Sequence, residues 1–403
     1  MNFLSKVYCR TFQACLKLGH YFLGYRTPET KEGPGSVKKL PEFIRAKGID
    51  NVLVVTDSSL MKLGLPNAML ESMEQAGVKY TVYDGVCPNP TSDNVEEGLK
   101  VYLENGCKGI VAIGGGSPID CAKAIGARIA RPNKTVAQMQ GLLKVRHKSK
   151  IPPFVAVPPT AGTGSETTVA AVITDAATHH KASINDTAIL PHYAVLDPEL
   201  TIGLPPFTTA TTGMDALCHA VESYTNHTYN TKLENQYAED AVRLIHENLL
   251  TAYHDGKNLQ ARQNMQIAAF KAGRAFTRGC VGYVHAIGHT LGGLYGTPHG
   301  LAMSILLPHV MIEFGPAVYP RLARLADLCD MGPGTDAEKA QRFIQWMIDL
   351  KREMNIPEKL DMIKDEDVPQ IITWAMKEAN PLYPVPVLWG REEFRRFLDK
   401  VRV

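Results

Sequence analysis

Short apolar runs alternate with longer amphipathic stretches between about residues 48 and 197. Strands are predicted for four runs that are rich in β-branched residues and end in turn-forming residues, namely NVLVVTD (51–57), KYTVYDGV (79–86), GIVAIGGGS (109–117) and FVAVPPT (154–160). The stretches between them have helical spacing, and TSDNVEEGLKVYLENG begins with capping residues. Continuous apolar strands separated by helices predict a parallel sheet buried on both faces, so we expect a doubly wound α/β domain.

Beyond about Leu204 the apolar positions repeat at helical spacing, and runs typical of strands disappear. Helices are predicted for ATTGMDALCHAVESYT, NQYAEDAVRLIHENLLTAYHD and ARQNMQIAAFKAGRAF. The last third is also helical in pattern, with interruptions at Met331–Gly334 and in the Pro-rich segment 380–390. We therefore expect an N-terminal α/β domain over 29–205 and a C-terminal all-helical domain over 206–403.

Composition narrows the class of protein. The chain has 403 residues, 45% hydrophobic and 21% charged, with a formal net charge of +2. This length predicts more than one core, and this charge gives no electrostatic case for nucleic-acid binding. No apolar stretch is predicted to cross a bilayer. The eight cysteines include no C-x-x-C pair, so we expect reduced thiols and a cytoplasmic location.

Residues 1–28 form an N-terminal extension with its own amphipathic pattern. The apolar stripe consists of Leu4, Tyr8, Phe12, Cys15, Phe22 and Leu23, basic residues are interleaved with it, and no acidic residue precedes Glu29. Because basic residues interrupt the apolar run and no small-residue cleavage site follows, a signal peptide is not predicted. Three interpretations stay open: a docked or oligomer-forming helix, which we place first, a membrane-surface helix, and an organelle presequence.

A glycine loop and one acidic residue end two of the predicted strands. Gly114, Gly115 and Gly116 would let backbone N–H groups approach a phosphate at a helix start. Neither G-x-G-x-x-G nor a P-loop pattern is present, and a tight turn that needs glycine is the alternative. Asp57 could accept hydrogen bonds from an adenosine ribose and repel a 2′-phosphate, which favours NAD over NADP. An ordinary helix N-cap is the alternative for Asp57, and both roles can hold.

Five potential metal ligands or proton carriers fall into two groups. Asp215 and His219 are four residues apart, and so are His285 and His289, so on a helix each pair shares one face. His299 follows a turn containing Gly and Pro that lets the chain fold back towards His285. A lone histidine on a helix is usually a core or surface residue, but this grouping favours a divalent metal held by one carboxylate and three imidazoles, with an open position for substrate.

Five motifs resemble one known family when taken in order: GGGSPID, VPPTAGTGSE, ILPHYAVLDPEL, TTGMDALCHAVESY and VHAIGHTLGGLYGTPHG. From about Gly33 to the C-terminus, the chain resembles the iron-containing (group III) alcohol dehydrogenases. The resemblance implies an α/β protein with an N-terminal Rossmann-like dinucleotide-binding domain and a C-terminal all-helical metal-binding domain. It also implies NAD(H)-linked hydride transfer between nicotinamide C4 and a primary alcohol or aldehyde held at the metal.

The resemblance assigns roles to individual positions. The metal ligands would be Asp215, His219, His285 and His299. The cofactor-binding positions would be Asp57, Gly114, Gly115, Gly116, Ser117, Asp120, Thr160, Thr163 and Lys181. His289 matches an additional histidine near the substrate, and two roles stay open for it: a proton carrier or a group that orients a ligand. Cys218, the helical neighbour of His219, is predicted to point away from the metal and pack in the core.

The cofactors implied are NAD and a divalent metal, with Fe²⁺ as first choice and Zn²⁺ or Mn²⁺ as alternatives. The rival functions are a glycerol or diol dehydrogenase, a dehydroquinate synthase-like enzyme of the same fold, and a metal-dependent hydrolase, which would leave the glycine loop unexplained. The partners expected are a small alcohol or aldehyde and further copies of the chain, in a homodimer or larger homo-oligomer. The N-terminal helix could mediate that assembly or a weak membrane-surface contact. Gly296 departs from the Asn that is common before TPHG, which we expect to affect the substrate pocket.

Overall fold

The structure, a computed structural model, describes residues 1–176 and 181–403, without the side chain of Lys181. The chain divides into two compact units, an α/β unit of Gly24–Gly203 and a helical unit of Met1–Leu23 with Leu204–Val403. The division after Gly203 lies two residues from the predicted one after 205. Within the extension predicted over 1–28, Met1–Leu23 groups with the helical unit, to which its helix hydrogen-bonds, and the residues from Gly24 group with the α/β unit.

The α/β unit contains nine strands among its described residues. In chain order they are β1 (Glu29–Glu32), β2 (Asn51–Val55), β3 (Lys79–Tyr83), β4 (Gly109–Ile113), β5 (Gly141–Leu142), β6 (Phe154–Val157), β7 (Ala170–Thr174), β8 (Lys181–Asn185) and β9 (Tyr193–Leu196). Six of them pair in parallel in the order β1-β9-β6-β4-β2-β3, and the others form a small sheet in the order β5-β8-β7. The four predicted strands are confirmed as β2, β3, β4 and β6.

The helices that precede or belong to this unit are α1 (Phe3–His20), α2 (Leu40–Ala46), α3 (Ser58–Lys62), α4 (Asn67–Gln75), α5 (Ser92–Glu104), α6 (Gly116–Ala130) and α7 (Val136–Met139). Side chains of β2 alternate between two cores. Leu53 and Val55 pack with residues of α5 and α6, whereas Val52 and Val54 pack with residues of α2 and α4. A parallel sheet buried on both faces by helices is the predicted doubly wound architecture, which is therefore confirmed.

The strand order of the large sheet reverses between β2 and β4. These strands are neighbours, but the chain leaves β2 for β3 on one side and β4 for β6 on the other. In open α/β sheets, ligands bind outside the carboxyl ends of the strands at such a point. The edge that carries the ends of β2 and β4 is therefore where this fold would hold a nucleotide.

The helical unit contains α1 and nine further helices, α8 (Pro206–Asn226), α9 (Lys232–His254), α10 (Leu259–Gly279), α11 (Tyr283–Tyr295), α12 (His299–Phe314), α13 (Tyr319–Leu328), α14 (Asp336–Glu353), α15 (Val368–Ala379) and α16 (Arg391–Val401). Residues 204–403, all of which the structure describes, contain no strand longer than the isolated bridge between Leu360 and Arg402. Helix α8 has 17 of its 21 residues buried and packs against α9, α10 and α12. It is therefore the central helix of this unit.

One stretch departs from the expectation about membrane spans. His299–Ala317 is long and apolar enough to cross a bilayer by length and composition, but 56% of it is buried within the protein. A core helix of a globular protein passes the same test, because a helix that is apolar all round is either buried or lipid-exposed. Length and apolar composition alone therefore do not distinguish a buried core helix from a membrane-spanning helix.

The N-terminal helix α1 docks by the face opposite to its apolar stripe. The Gln13 amide donates hydrogen bonds to the carbonyls of Pro381 and Tyr383, at 3.0 and 2.9 Å, and the His20 ring stacks on Tyr229. The predicted stripe is instead largely exposed, with Leu4 at 77%. The contacts support the interpretation placed first, a docked helix, and polar side chains and backbone carbonyls make the attachment.

Candidate metal centre and dinucleotide-binding loops

Three of the predicted cofactor segments lie at one edge of the large sheet. Asp57 follows β2, Gly114–Ser117 follows β4, and the loop containing Thr160 and Thr163 follows β6. Because β2, β4 and β6 are adjacent and parallel, their carboxyl ends meet at the same edge. The structure thus brings these positions together at the reversal of strand order.

The glycine loop combines a strained turn with an open helix start. Gly114 has φ +157°, and a Cβ there would overlap the Pro118 ring, so this position needs glycine for conformation. Gly115 precedes α6 without a side-chain cap, and a Cβ on it would meet open space. The first N–H groups of a helix have no partner within the helix and attract anions. The tight-turn interpretation therefore holds for Gly114, and the start of α6 is compatible with the predicted phosphate contact, which stays a prediction.

Asp57 is the N-cap of α3. Its Oδ1 accepts hydrogen bonds from the backbone N–H of Ser59 at 2.9 Å and of Leu60 at 3.0 Å. The N-cap role is therefore present in the structure. Since both bonds use Oδ1, the ribose role assigned by resemblance would fall to Oδ2.

Asp120 joins α6 to neighbouring segments. Its Oδ1 accepts from the Ser165 hydroxyl at 2.7 Å, and its Oδ2 accepts from the Val172 N–H at 3.0 Å. Beside it, the buried Lys123 ammonium donates to Ser165 Oγ at 2.9 Å and Thr168 Oγ1 at 2.7 Å. Asp120 thus holds both Ser165, in the loop after β6, and Val172, in β7, against α6. This arrangement makes Asp120 a positioning residue for the loop after β6.

Sequence reasoning missed Lys123, and it left Glu166 without a role. Burial lowers the pKa of Lys123 to about 8 and raises the pKa of Glu166 to about 7. Each shift is opposed by the opposite charge of the other group. Lys181 begins β8, but its predicted cofactor contact belongs to a side chain outside the described part of the chain.

Four side chains from three helices converge in the helical unit. Asp215 and His219 lie on one face of α8, His285 lies on α11, and His299 begins α12. From Asp215 Oδ1 the nearest ring nitrogens are at 3.3 Å (His299 Nε2), 3.8 Å (His285 Nε2) and 3.9 Å (His219 Nδ1). One atom of each residue lies within 4.8 Å of the other three. The predicted ligand set is therefore assembled in space.

The donor atoms of this cluster fit a divalent cation. Asp215 Oδ1, His219 Nδ1 and His285 Nε2 are buried and have no hydrogen-bond partner within the described part of the chain. Buried polar atoms left unpaired cost about 1–3 kcal/mol each, so such a group calls for an explanation, and an ion is one. One cation in contact with all three would satisfy them together.

The ionisation states also suit a metal. Burial lowers the pKa of His219 to about 3, and burial holds the pKa of His285 well below its ordinary value. For Asp215, burial works to raise the pKa, but the facing imidazoles outweigh it and the pKa is lowered. Neutral imidazoles beside an ionised carboxylate are the forms that bind divalent metals.

Glu222 orients His285. The His285 Nδ1 lies 2.6 Å from Glu222 Oε2, and the other carboxylate oxygen accepts from the Val284 N–H at 2.8 Å. A hydrogen bond at Nδ1 turns Nε2 towards the cluster and fixes the tautomer. Sequence reasoning gave Glu222 no role, although its spacing of three from His219 and seven from Asp215 places it on the same face of α8.

Cys218 does not point away from the site. Its Sγ lies 3.8 Å from His285 Nδ1, and with Glu222 and His285 it forms a second buried group of potential donors. The prediction that Cys218 packs in the core is confirmed, since its side chain is fully buried, but its Sγ contacts the His285 ring on the side of Nδ1. Burial raises the pKa of the Cys218 thiol well above its ordinary value, so it stays a thiol.

His289 lies beside the four-ligand cluster and outside it. Its ring stacks on His299 at 5.3 Å, and its Nδ1 lies 2.7 Å from Glu378 Oε1, which also accepts from the Tyr383 hydroxyl at 2.9 Å. The side chains of His289 and His299 are 37% and 39% exposed. The remaining three proposed ligands, Asp215, His219 and His285, are buried. The open side of the cluster is therefore flanked by these two rings.

Gly296 and Gly300 determine the position of the TPHG segment (297–300). A Cβ on Gly300 would lie 2.5 Å from the Thr211 carbonyl oxygen, so glycine lets the start of α12 approach α8 and brings His299 towards Asp215. Gly296 ends α11 with φ +66°, a left-handed position that suits glycine or asparagine. The departure from Asn at this position thus has a backbone explanation.

Comparison with known proteins gives two matching family models, described as "Iron-containing alcohol dehydrogenase" over residues 28–198 and "Fe-containing alcohol dehydrogenase family, C-terminal" over residues 209–399. Alcohol dehydrogenase 4 of Schizosaccharomyces pombe is 38% identical over 360 residues, which cover 87% of this chain and 83% of that protein. An NAD-dependent methanol dehydrogenase of Bacillus methanolicus is 36% identical, covering 87% of this chain and 92% of that protein.

A solved structure of 1,3-propanediol oxidoreductase has the same fold. It superposes with a TM-score of 0.88 and 36% sequence identity, over 94% of this chain and 99% of the other. Family models and relatives together cover nearly the whole chain, including both the sheet edge and the ligand cluster. The protein therefore belongs to the iron-containing alcohol dehydrogenase family.

Proposed function

We propose that this protein is a metal-dependent, NAD(H)-linked alcohol dehydrogenase or aldehyde reductase that acts on small primary alcohols and aldehydes. The observation that carries the proposal is the set of three buried, unpartnered donor atoms that converge from α8 and α11 beside His299. Family membership supports the reaction class, and the name of the Bacillus methanolicus relative supports NAD as cofactor.

The chain's own residues would divide the work at the ligand cluster. Asp215, His219, His285 and His299 would hold the cation, which supplies Lewis-acid polarisation of the substrate oxygen when bound. Glu222 keeps Nε2 of His285 directed at that position. Burial of the three inner ligands excludes water from their side, so substrate would enter from the side flanked by His289 and His299.

His289 would carry the proton that alcohol oxidation releases. Its Nδ1 lies 2.7 Å from Glu378 Oε1, a carboxylate that would stabilise the protonated ring. The partly exposed ring lies between the cluster and solvent, so it could pass a proton outward. The same contact with Glu378 would also fix the ring where it stacks on His299, so proton transfer and orientation of a ligand are compatible roles.

The dinucleotide would bind at the sheet edge between β2 and β4. The start of α6, with Gly115, Gly116 and Ser117, would receive the pyrophosphate, and Asp57 would receive the adenosine ribose. Thr160 and Thr163 would line the same edge from the loop after β6. When bound, the nicotinamide supplies the hydride chemistry.

Fe²⁺ is the metal proposed, because the family is described as iron-containing. Zn²⁺ and Mn²⁺ are the alternatives, because three imidazoles and a carboxylate suit all three metals and intrinsic affinity does not favour iron. The further proposals are a homodimer or larger homo-oligomer and a cytoplasmic location. The cytoplasmic location is supported by the cysteines, which are all free in the structure.

Small diols are the second candidate substrates. The structural relative at TM-score 0.88 is named for 1,3-propanediol. A comparison of kcat/KM for 1-propanol and 1,3-propanediol separates the candidates. A clear preference for the diol would favour diol dehydrogenation, and equal values would favour a general primary-alcohol enzyme.

The proposal is tested with His285→Ala. Loss of one inner ligand should remove most of the bound metal and lower NAD⁺-linked alcohol oxidation by about 1000-fold or more, since metal polarisation contributes several kcal/mol. His254→Ala is the matched control, because His254 is exposed and pairs with Glu353 on the surface. Full metal content and activity in His285→Ala would overturn the proposed function.

A further inference from the structure

Helix α1 presents a continuous apolar face to solvent. Its exposed members are Phe3, Leu4, Val7, Tyr8, Leu18, Tyr21 and Phe22, with exposed fractions between 46% and 85%. Positions 4, 8, 15 and 18 repeat at intervals of four, seven and three, which places them on one side of the helix, and Tyr21 and Phe22 follow its last residue, His20, in a turn. Scattered exposed hydrophobic residues are ordinary, but a contiguous patch marks an interaction surface.

The apolar face is held outward by the attachment of the opposite face. Cys9, Gln13 and His20 are buried, and Gln13 donates to two backbone carbonyls of the segment 381–383. Arg10 donates to the carbonyls of Val385 and Pro386, at 2.9 and 3.0 Å. Because these bonds fix the rotation of the helix, the apolar side chains stay directed away from the helical unit.

The charged side chains carried by residues 1–28 have one sign. Lys6, Arg10 and Lys17 are spaced four and seven apart, so they form one row along the helix. Lys6 and Lys17 are exposed, and residues 1–28 contain no acidic side chain. An apolar helix face bordered by basic residues is the pattern that lies flat on a bilayer containing anionic lipids. Tyrosine rings, here Tyr8 and Tyr21, suit the headgroup level.

A second copy of the chain fits this face less well. A helix of 18 residues is about 27 Å long, so a strip about 10 Å wide offers roughly 300 Å² to a partner helix, against about 800 Å² per partner in a stable interface. Antiparallel pairing of two such helices would also bring two basic rows together. A bilayer needs no complementary groove and carries the opposite charge.

We propose that α1 is a peripheral membrane anchor that lays its apolar face on an anionic lipid surface. The apolar side chains enter the boundary between headgroups and acyl chains, and Lys6 and Lys17 contact the lipid phosphates. The anchor uses none of the residues proposed to bind the metal or the dinucleotide, so it adds a location to the proposed chemistry.

The test is co-flotation of the full chain with phosphatidylcholine vesicles that do or do not contain phosphatidylglycerol. We expect binding to the anionic vesicles, weakened by salt. The double variant Leu18→Glu/Phe22→Glu should lower the partition coefficient more than about tenfold, because it removes apolar contacts and adds repulsion. The variant Lys6→Gln/Lys17→Gln should lower it roughly tenfold through the lost attraction to lipid phosphates.

The matched control is Leu103→Glu, which introduces the same charge at an exposed leucine of α5 and should leave flotation unchanged. Melting temperature and metal content show that each variant is folded. Absence of flotation by the wild-type chain would overturn the proposal, as would equal binding to neutral vesicles. A smaller oligomer for Leu18→Glu/Phe22→Glu, without any vesicle binding by the wild type, would assign the face to a second copy instead.

Discussion

Single residues in this protein serve structure and chemistry at the same time. Asp57 caps α3 through Oδ1, so replacing it with glycine would disturb the helix as well as any cofactor contact. Serine keeps a capping oxygen and removes the negative charge. The geometry therefore selects Asp57→Ser as the substitution that isolates the charge.

Asp57→Ser should shift cofactor preference from NAD towards NADP. Without the carboxylate, repulsion of the 2′-phosphate disappears, and the ratio of kcat/KM values should change by roughly tenfold. The measurement is steady-state kinetics with both cofactors. Asp50→Ser is the control, since Asp50 immediately precedes the opposite end of β2 and pairs with Lys108. An unchanged ratio with an unchanged melting temperature would remove Asp57 from cofactor selection.

Glu222→Gln should weaken metal binding by about 10–100-fold, the usual effect of losing a group that orients a ligand. Glutamine keeps the shape but accepts only a weaker hydrogen bond from His285 Nδ1. The dissociation constant is measured by competition with a chelator. Glu239→Gln, which alters a contact to Tyr224 on the same helical unit, should leave it unchanged. Equal affinity in both variants would show that packing alone orients His285.

The residues of the cluster differ in how far sequence predicts them. Asp215 and His219 share a helix, so their spacing already shows a common face. Glu222 continues the same helical spacing, so its place on that face of α8 could be predicted in the same way. The contact of Glu378 with His289 could not be predicted, because the two residues are 89 positions apart in the sequence. Only the packing of α15 against α11 brings them together. Local periodicity carries no information about such contacts.

At the scale of elements, strands with an apolar or β-branched pattern were predictable, including β3 at one edge of the large sheet, whereas the exposed strand β1 at the other edge was not. The strand β4 is buried at all five positions, and its sequence is accordingly apolar throughout. The strand β1 reads ETKE and is mostly exposed, so it has no apolar pattern to detect. It lies at the end of the sheet order, where only one neighbour supplies hydrogen bonds. Its pairing with β9 joins segments more than 160 residues apart, so it depends on tertiary structure and not on local sequence.

The link between α6 and the loop after β6 should make stability depend on pH. Burial raises the pKa of Glu166 to about 7, above its ordinary 4.5, against the attraction of Lys123. Between those values the folded state binds more protons than the unfolded state, so the contribution of Glu166 to stability is present at low pH and is lost as pH rises through about 7.

Glu166→Gln removes that titration. The melting temperature of the variant should rise relative to the wild type as pH increases from about 4.5 to about 7, and the difference should then level off. Thermal unfolding at several pH values in this range measures it. Exposed Glu104, replaced by Gln, provides the control. A difference that is constant with pH would show that Glu166 is ionised in the folded state.

At the scale of the whole molecule, the two kinds of site belong to different compact units. All four proposed metal ligands belong to the helical unit, and Asp57, the glycine loop and the loop after β6 belong to Gly24–Gly203. Each unit has the internal contacts of its own core. Loss of the metal should therefore leave the sheet edge and its loops intact.

His285→Ala should consequently lose metal but keep dinucleotide binding. We expect the dissociation constant for NADH, measured by fluorescence titration of the full chain, to change less than about threefold, because no residue proposed to bind it shares a unit with the ligands. Gly115→Val should give the reverse result, since a branched side chain would block the approach of a phosphate to the start of α6 while metal content stays at the wild-type level. Loss of NADH binding in His285→Ala would show that the helical unit contributes to the dinucleotide site, and the division of labour between the units would then be wrong.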